Sequence, residues 1–276
     1  MKKTILVIGA TGHQGGAAIA ALKQTDFSIR ALVRSAGDPS AQLLARSGIK
    51  IVQGDLDDPE SLLPAMQGVY GVFSVQGYRL GDREVTQGKS VADAAHKSGV
   101  QHLVYSSVGG ADRSSGVPHF ETKWQIEQYI RTLGLPHTIL RPAAFMENLE
   151  MTPPFMFMTL MRSVLKHKPL QLIAVEDIGK WVATAFLHPQ EFTGKSIEIA
   201  GDEVTYEQMQ QAYKKVYGKS QASIRVPGWL LGYGGKMFKW FRDGGYRADI
   251  PYCRRAVPDM LTFEAWLLKH KHTATT

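Results

Sequence analysis

The 276-residue chain has a single cysteine, Cys253. Alone, it has neither a disulfide partner nor a CxxC mate for zinc or dithiol chemistry, which excludes a disulfide scaffold and points to a reducing, cytoplasmic setting with the thiol itself inert. No metal site is expected. Long hydrophobic runs are missing as well, since none approaches the ~18 residues that a membrane span needs. The start, MKKTILVIGA, is basic but leads into a glycine-rich turn, not a small-residue cleavage site, and reads as a first strand. No linker, low-complexity tract or internal repeat breaks the alternation of apolar and polar segments. The formal charge is +7, yet the lysines and arginines are scattered, with neither zinc-finger spacing nor the aromatic-basic signature of RNA binding. That pattern disfavours nucleic acid and suits a phosphate-bearing ligand.

An apolar content of 44% over this length allows one large core and a smaller satellite. TILVIG (4–9), FSIRALVR (27–34), IKIVQGD (49–55), VYGVFSV (69–75), HLVYSSV (102–108) and LPHTILRP (135–142) read as six strands. Helical segments separate them, among them DDPESLLPAMQ with Asp58 as N-cap and Pro59 at the first helical position, and REVTQGKSVADAAHKSG closed by Gly99. Strands that lack inside-outside alternation and recur between helices predict a sheet buried on both faces. The fold class is α/β, a doubly wound parallel-sheet Rossmann fold over residues 1–150.

Beyond Pro142 the texture changes. AAFMENLEMTPPFMFMTLMRSVL is rich in Met and Phe, and GWLLGYGGKMFKWFRDGGY (228–246) mixes glycine with aromatics and bases. LQLIAVEDIGKWVATAFL predicts a strand and then a helix from near Asp177, and KSIEIAG (195–201) another strand. The expectation is a small interleaved C-terminal substrate-binding lobe of residues 151–175 and 201–269, with about 176–200 returning to the Rossmann domain and 270–276 a frayed tail. Core packing is the leading alternative to ligand contact for any single Met or aromatic here. The stretch 229–241 suits a lid, then an interface, then a peripheral membrane contact, the last disfavoured by its interrupting charges and glycines. Oligomeric state is not readable.

Gly9, Gly12 and Gly15 stand at the first strand-to-helix turn. The first permits the turn, the second lets backbone approach a pyrophosphate, the third lets helix pack on strand, and the helix start favours negative charge. At the end of the second strand a carboxylate would accept the ribose hydroxyls of NAD(H). This chain has Arg34 there, whose guanidinium suits a 2′-phosphate, so NADP(H) is preferred and NAD(H) remains possible.

With GATGHQGG, LVRS, QGDLDD, HFETKWQIEQYI, RPAAFMENL, QLIAVEDIG and the closing TFEAWLLKH, the chain resembles the NmrA-like group of atypical short-chain dehydrogenases/reductases over essentially its whole length. The resemblance implies a phosphate loop at Thr11, Gly12, His13 and Gln14, the 2′-phosphate contact at Arg34, and an adenine-side contact at Asp55 and Leu56. It further implies a cofactor-passing loop at Gln76, Gly77 and Tyr78, a lysine at the nicotinamide ribose at Lys123, and a nicotinamide-lining segment at Phe145, Met146, Glu147 and Asn148. Asp55 and Gln76 have a rival role as loop hydrogen-bonders, Asn148 as a helix cap, and His13 as a solvent-facing residue.

The larger superfamily pairs a tyrosine with a lysine one helical turn on, the lysine lowering the phenol's pKa. Here the tyrosine position is His119, and Ser106 or Ser107 lies near the usual serine, with Val108 as a third alignment. Two functions stay open. One is a reductase, with Lys123 and His119 in the catalytic roles and a small apolar quinone-, enone- or imine-like substrate. The other is a non-catalytic NADP(H)-sensing regulator that acts through a protein partner. A lone histidine on a helix is more often structural than catalytic.

Overall fold

The computed structural model describes residues 2–77, 80–113, 116–227 and 235–271. Strand and helix alternate as β1 (Thr4–Val7), α1 (His13–Leu22), β2 (Ser28–Val33), α2 (Pro39–Arg46), β3 (Lys50–Gln53), α3 (Pro59–Met66), β4 (Gly71–Ser74), α4 (Asp82–Lys97), β5 (His102–Ser106), α5 (Pro118–Thr132) and β6 (His137–Pro142). Then follow β7 (Ala144–Phe145), α6 (Asn148–Met151), α7 (Pro154–Leu165), β8 (Leu170–Ile173), α8 (Val175–Leu187), α9 (Pro189–Phe192) and β9 (Ser196–Ile199). The chain closes with β10 (Asp202–Val204), α10 (Tyr206–Tyr217), α11 (Gly235–Arg242), α12 (Ile250–Ala256) and α13 (Phe263–Lys271).

The main sheet has the order β3-β2-β1-β4-β5-β6-β9, and every pairing in it is parallel. Successive residues of β1 serve opposite faces, as strand geometry requires. Ile5 and Val7 join a core with Ile19, Trp181 and Phe186 of α1 and α8, while Leu6 and Ile8 join one with Leu62, Val91 and Ile126 of α3, α4 and α5. Burial on both faces explains why these strands read as unbroken apolar runs. α8 lies against α1, and β9 extends the sheet beside β6, so a late stretch of chain completes the early layer.

A second, three-stranded sheet, β10-β8-β7, anchors the lobe. Its core holds Met146, Phe157, Met158, Met161, Met209 and Trp266, so most of the Met- and Phe-rich positions are packing residues. Met151, Phe155 and Met156 are the exposed exceptions, at 62%, 42% and 57%.

The helix between β2 and β3, α2, is PSAQLLAR, opened by Pro39 and burying Ala41. Two local details differ from the sequence expectations. Asp58 does stand at the N-cap of α3, but its side chain makes no capping bond. α13 runs to Lys271 instead of fraying after Lys269, since His270 stacks on Trp266 with ring centroids 4.6 Å apart and its Nδ1 lies 2.9 Å from the Trp266 carbonyl. No helix among the described residues is long and apolar enough to cross a membrane.

Candidate functional site

The strand order reverses between β1 and β4, and in open α/β sheets a ligand crevice forms beyond the carboxyl ends at such a point. After β1 the chain turns through Gly9, with φ +69°, a conformation that side chains resist. A Cβ on Gly15 would stand 2.0 Å from the Gly9 carbonyl oxygen, so only glycine lets the first turn of α1 sit on the loop. Gly12 is the N-cap of α1 and has no side-chain cap, and the first turn carries no acidic residue. Thr11, Gly12 and His13 are exposed there, leaving amides and the positive helix end for an anion. Gln14 is half-buried, and its Oε1 accepts from Ser106 Oγ at 2.6 Å, which ties the loop to the end of β5.

Beside the loop opens a cavity of about 360 Å³. Seven of the residues expected at a cofactor line it: Gly9, Thr11, Arg34, Asp55, Leu56, Gln76 and Gly77. Arg34 is exposed and has no hydrogen-bond or ion-pair partner among the described residues. Gln76 is 5% exposed, and its Nε2 donates to Ser74 Oγ at 2.8 Å. Its Oε1 has no partner among the described residues. A buried acceptor left unmet costs free energy, so this one fits a donor supplied by a ligand. Asp55 turns its carboxylate inward on its own loop, where Oδ1 accepts from the Asp57 amide at 3.0 Å.

Sequence reasoning missed one wall of this cavity. Arg83 Nε donates to both carboxylate oxygens of Asp57, at 2.9 and 3.1 Å, Arg83 Nη2 adds a further bond, and Gln87 Nε2 donates to Asp57 Oδ1 at 2.9 Å. These donors, Arg83 first, hold the Asp57 carboxyl down at about 2, with Arg34 a smaller contributor. The only signal available was helical spacing, Arg83 and Gln87 being one turn apart on α4.

Lys123, His119 and the 145–148 segment are not among the residues that line this cavity. On α5, Lys123 is 7% exposed, and its Nζ stands 2.9 Å from Oε1 of Glu84, a carboxylate of α4 with no exposure at all. Thr122 Oγ1 donates to the second oxygen at 2.7 Å. The Lys123 ammonium also lies 5.8 Å from the centroid of Tyr105, whose phenol burial pushes well above its usual value. His119 is half-buried, and burial lowers its pKa below 6.5; the Glu84 charge opposes that shift and the Lys123 charge reinforces it. Its ring meets Phe120 edge-on at 4.7 Å, and Phe120 meets Trp240 of α11 at 5.0 Å. The described part of the aromatic-basic segment therefore closes over the start of α5; residues 229–234 and Tyr78 lie outside the described residues.

Ser106 is the serine that faces the loop. Ser107 instead donates to Glu127 at 2.5 Å, inside a buried network with Arg141. In the 145–148 segment, Phe145 is partly buried against the main core and Asn148 opens α6. Met146 and Glu147, in the segment expected to line the nicotinamide, make side-chain contacts within the protein. Met146 is fully buried in the lobe core, and Glu147 Oε1 accepts from the Val175 amide at 2.9 Å and Trp266 Nε1 at 3.1 Å, so it secures the start of α8. Glu147 Oε2 is buried with no hydrogen-bond partner among the described residues.

A sequence model of the NmrA-like family matches residues 1–234. The chain is 36% identical over 168 residues to an NmrA-like family domain-containing oxidoreductase, FrzB of a Cladobotryum species. That match covers 55% of this chain and 50% of the relative, so the chain spans half the length of that protein. In fold it is similar to the triphenylmethane reductase of a Citrobacter species complexed with NADP(H), with a TM-score of 0.80 and 21% identity over 97% of this chain and 99% of that one. It is equally similar to NmrA, a negative transcriptional regulator, in complex with NADP, with a TM-score of 0.78 and 22% identity over 99% and 98%.

Proposed function

The chain belongs to the NmrA-like family, and from that premise we propose that it binds NADP(H) at the β1–β4 switch point and reduces a small quinone-, enone- or imine-like substrate. The observation that carries this reading is the cavity where the glycine loop, the unpartnered Arg34 and the unmet Gln76 oxygen converge. Those groups suit a phosphorylated dinucleotide: amides for a pyrophosphate, a guanidinium for a 2′-phosphate, and an acceptor for a hydroxyl or amino group. When bound, the cofactor supplies hydride.

The chain's own residues do the rest. Lys123, its charge balanced by Glu84, keeps further N–H donors for ribose hydroxyls. His119, one helical turn earlier, holds the proton for the substrate. Trp240 and Phe120 keep water from that end. The oxidoreductase name of the 36% identical relative supports the reading.

A second reading, a non-catalytic NADP(H) sensor acting on a protein partner, is favoured by one observation. Lys123 is already committed to a buried carboxylate beside an imidazole that burial keeps neutral, where the larger superfamily has a phenol. Absorbance of the reduced nicotinamide, followed with a panel of quinones and enones alongside a binding titration, separates the two. Turnover supports the reductase; tight binding without turnover on any acceptor supports the sensor.

A further inference from the structure

The adenosine end of the cavity carries more negative charge than a phosphate-binding pocket should. Asp38, Asp55 and Asp57 line it against two guanidiniums, Arg34 and Arg83. A free carboxylate at the end of the second strand accepts ribose hydroxyls and repels a 2′-phosphate, which is how NAD(H) is chosen over NADP(H); Asp57 follows the third strand but lines the same cavity, where a free carboxylate would act in the same sense.

Asp57 is not free. Arg83 engages both of its oxygens and Gln87 takes up a further lone pair on Oδ1, each reaching across from α4. The two arms sit one turn apart on one helix face, so a single element presents both. Asp57 is 33% exposed at its side chain, and the Arg34 charge is felt at its carboxyl, so the clasp and the unpartnered arginine belong to one electrostatic neighbourhood.

We infer that Arg83 is a specificity-determining positioning residue, which masks the Asp57 carboxylate and thereby leaves Arg34 to select NADP(H). The inference rests on the cofactor reading given above. In this arrangement Arg83 need not touch the cofactor; it acts by occupying the acceptor that would otherwise serve NAD(H) and oppose the phosphate.

The test is the ratio of NADPH to NADH dissociation constants, measured by titration on the full chain and a set of variants checked for native circular dichroism. Arg83→Ala exposes Asp57, so NADPH binding weakens about tenfold while NADH binding is unchanged or tighter. Asp57→Asn frees the guanidinium and removes the repulsion, and moves the ratio the opposite way. The double variant returns the ratio toward that of the parent, and Arg83→Lys, which keeps charge but not the fork, falls between. A clasp that is only structural would weaken both cofactors by the same factor in Arg83→Ala and Asp57→Asn alike, and that result overturns the inference while leaving the cofactor site intact. Failure of the parent chain to bind either cofactor overturns both.

Discussion

At the glycine-loop end Arg34 stands exposed without an ion-pair partner and Gln76 leaves an acceptor unmet, whereas at the α5 end the Lys123 ammonium is ion-paired in the interior with Glu84, which also accepts from Thr122, although Glu84 Oε1 and the Tyr105 hydroxyl have no hydrogen-bond partner among the described residues. Polar groups with unmet partners gain from a ligand. Polar groups already paired in a dry environment gain little from one, and they hold the fold together only as long as every member stays. The difference assigns affinity to the first end and rigidity, with whatever chemistry occurs, to the second.

The largest effect should come from breaking the closed end. Glu84→Ala leaves the Lys123 ammonium buried without its counter-charge, and breaking such a pair costs about 3–5 kcal/mol. The drop should appear in the denaturant midpoint, and a loss near zero would mean that this end is no more committed than the other. A smaller effect, in binding only, should follow from Arg34→Ala. Losing a charge-assisted contact to a 2′-phosphate weakens NADPH by about tenfold or more, with NADH and the denaturant midpoint nearly unmoved. Equal losses for both cofactors would remove the assignment of Arg34.

The smallest concerns pH. Burial depresses the His119 pKa, so its charged, proton-donating form is favoured only as pH falls through a value below 6.5. If His119 gives up a proton during turnover, rate rises toward acid across that range and His119→Gln flattens the profile. A profile that His119→Gln does not alter would leave the proton to water.

Local patterns in the sequence make much of this legible. The six strands, the Gly9–Gly15 turn and Arg34 at the end of β2 each reside within a short stretch, where periodicity, turn chemistry and position speak directly. The two ion pairs that distinguish the ends do not. Asp57 meets Arg83 across 26 residues, and Glu84 meets Lys123 next to Thr122, which bonds the same carboxylate across 38, and nothing in either stretch marks its partner. Lys123 is recognisable as a lysine one turn after His119, but its commitment to Glu84 depends on how α4 and α5 pack. Met146 and Glu147 show the same limit, since a motif can name a segment without telling which side chains turn to the lobe core. β9 is legible as a strand, but its place at the sheet edge beside β6 is a property of the assembled layers.

The central claim is that this chain holds NADP(H) through the open end of the site. Calorimetric titration of the purified protein with NADPH and with NADH tests it most directly. The account predicts saturable binding of one NADPH per chain, tighter than NADH, with Arg34→Ala erasing the difference. Binding of neither cofactor, or tighter binding of NADH, would contradict it.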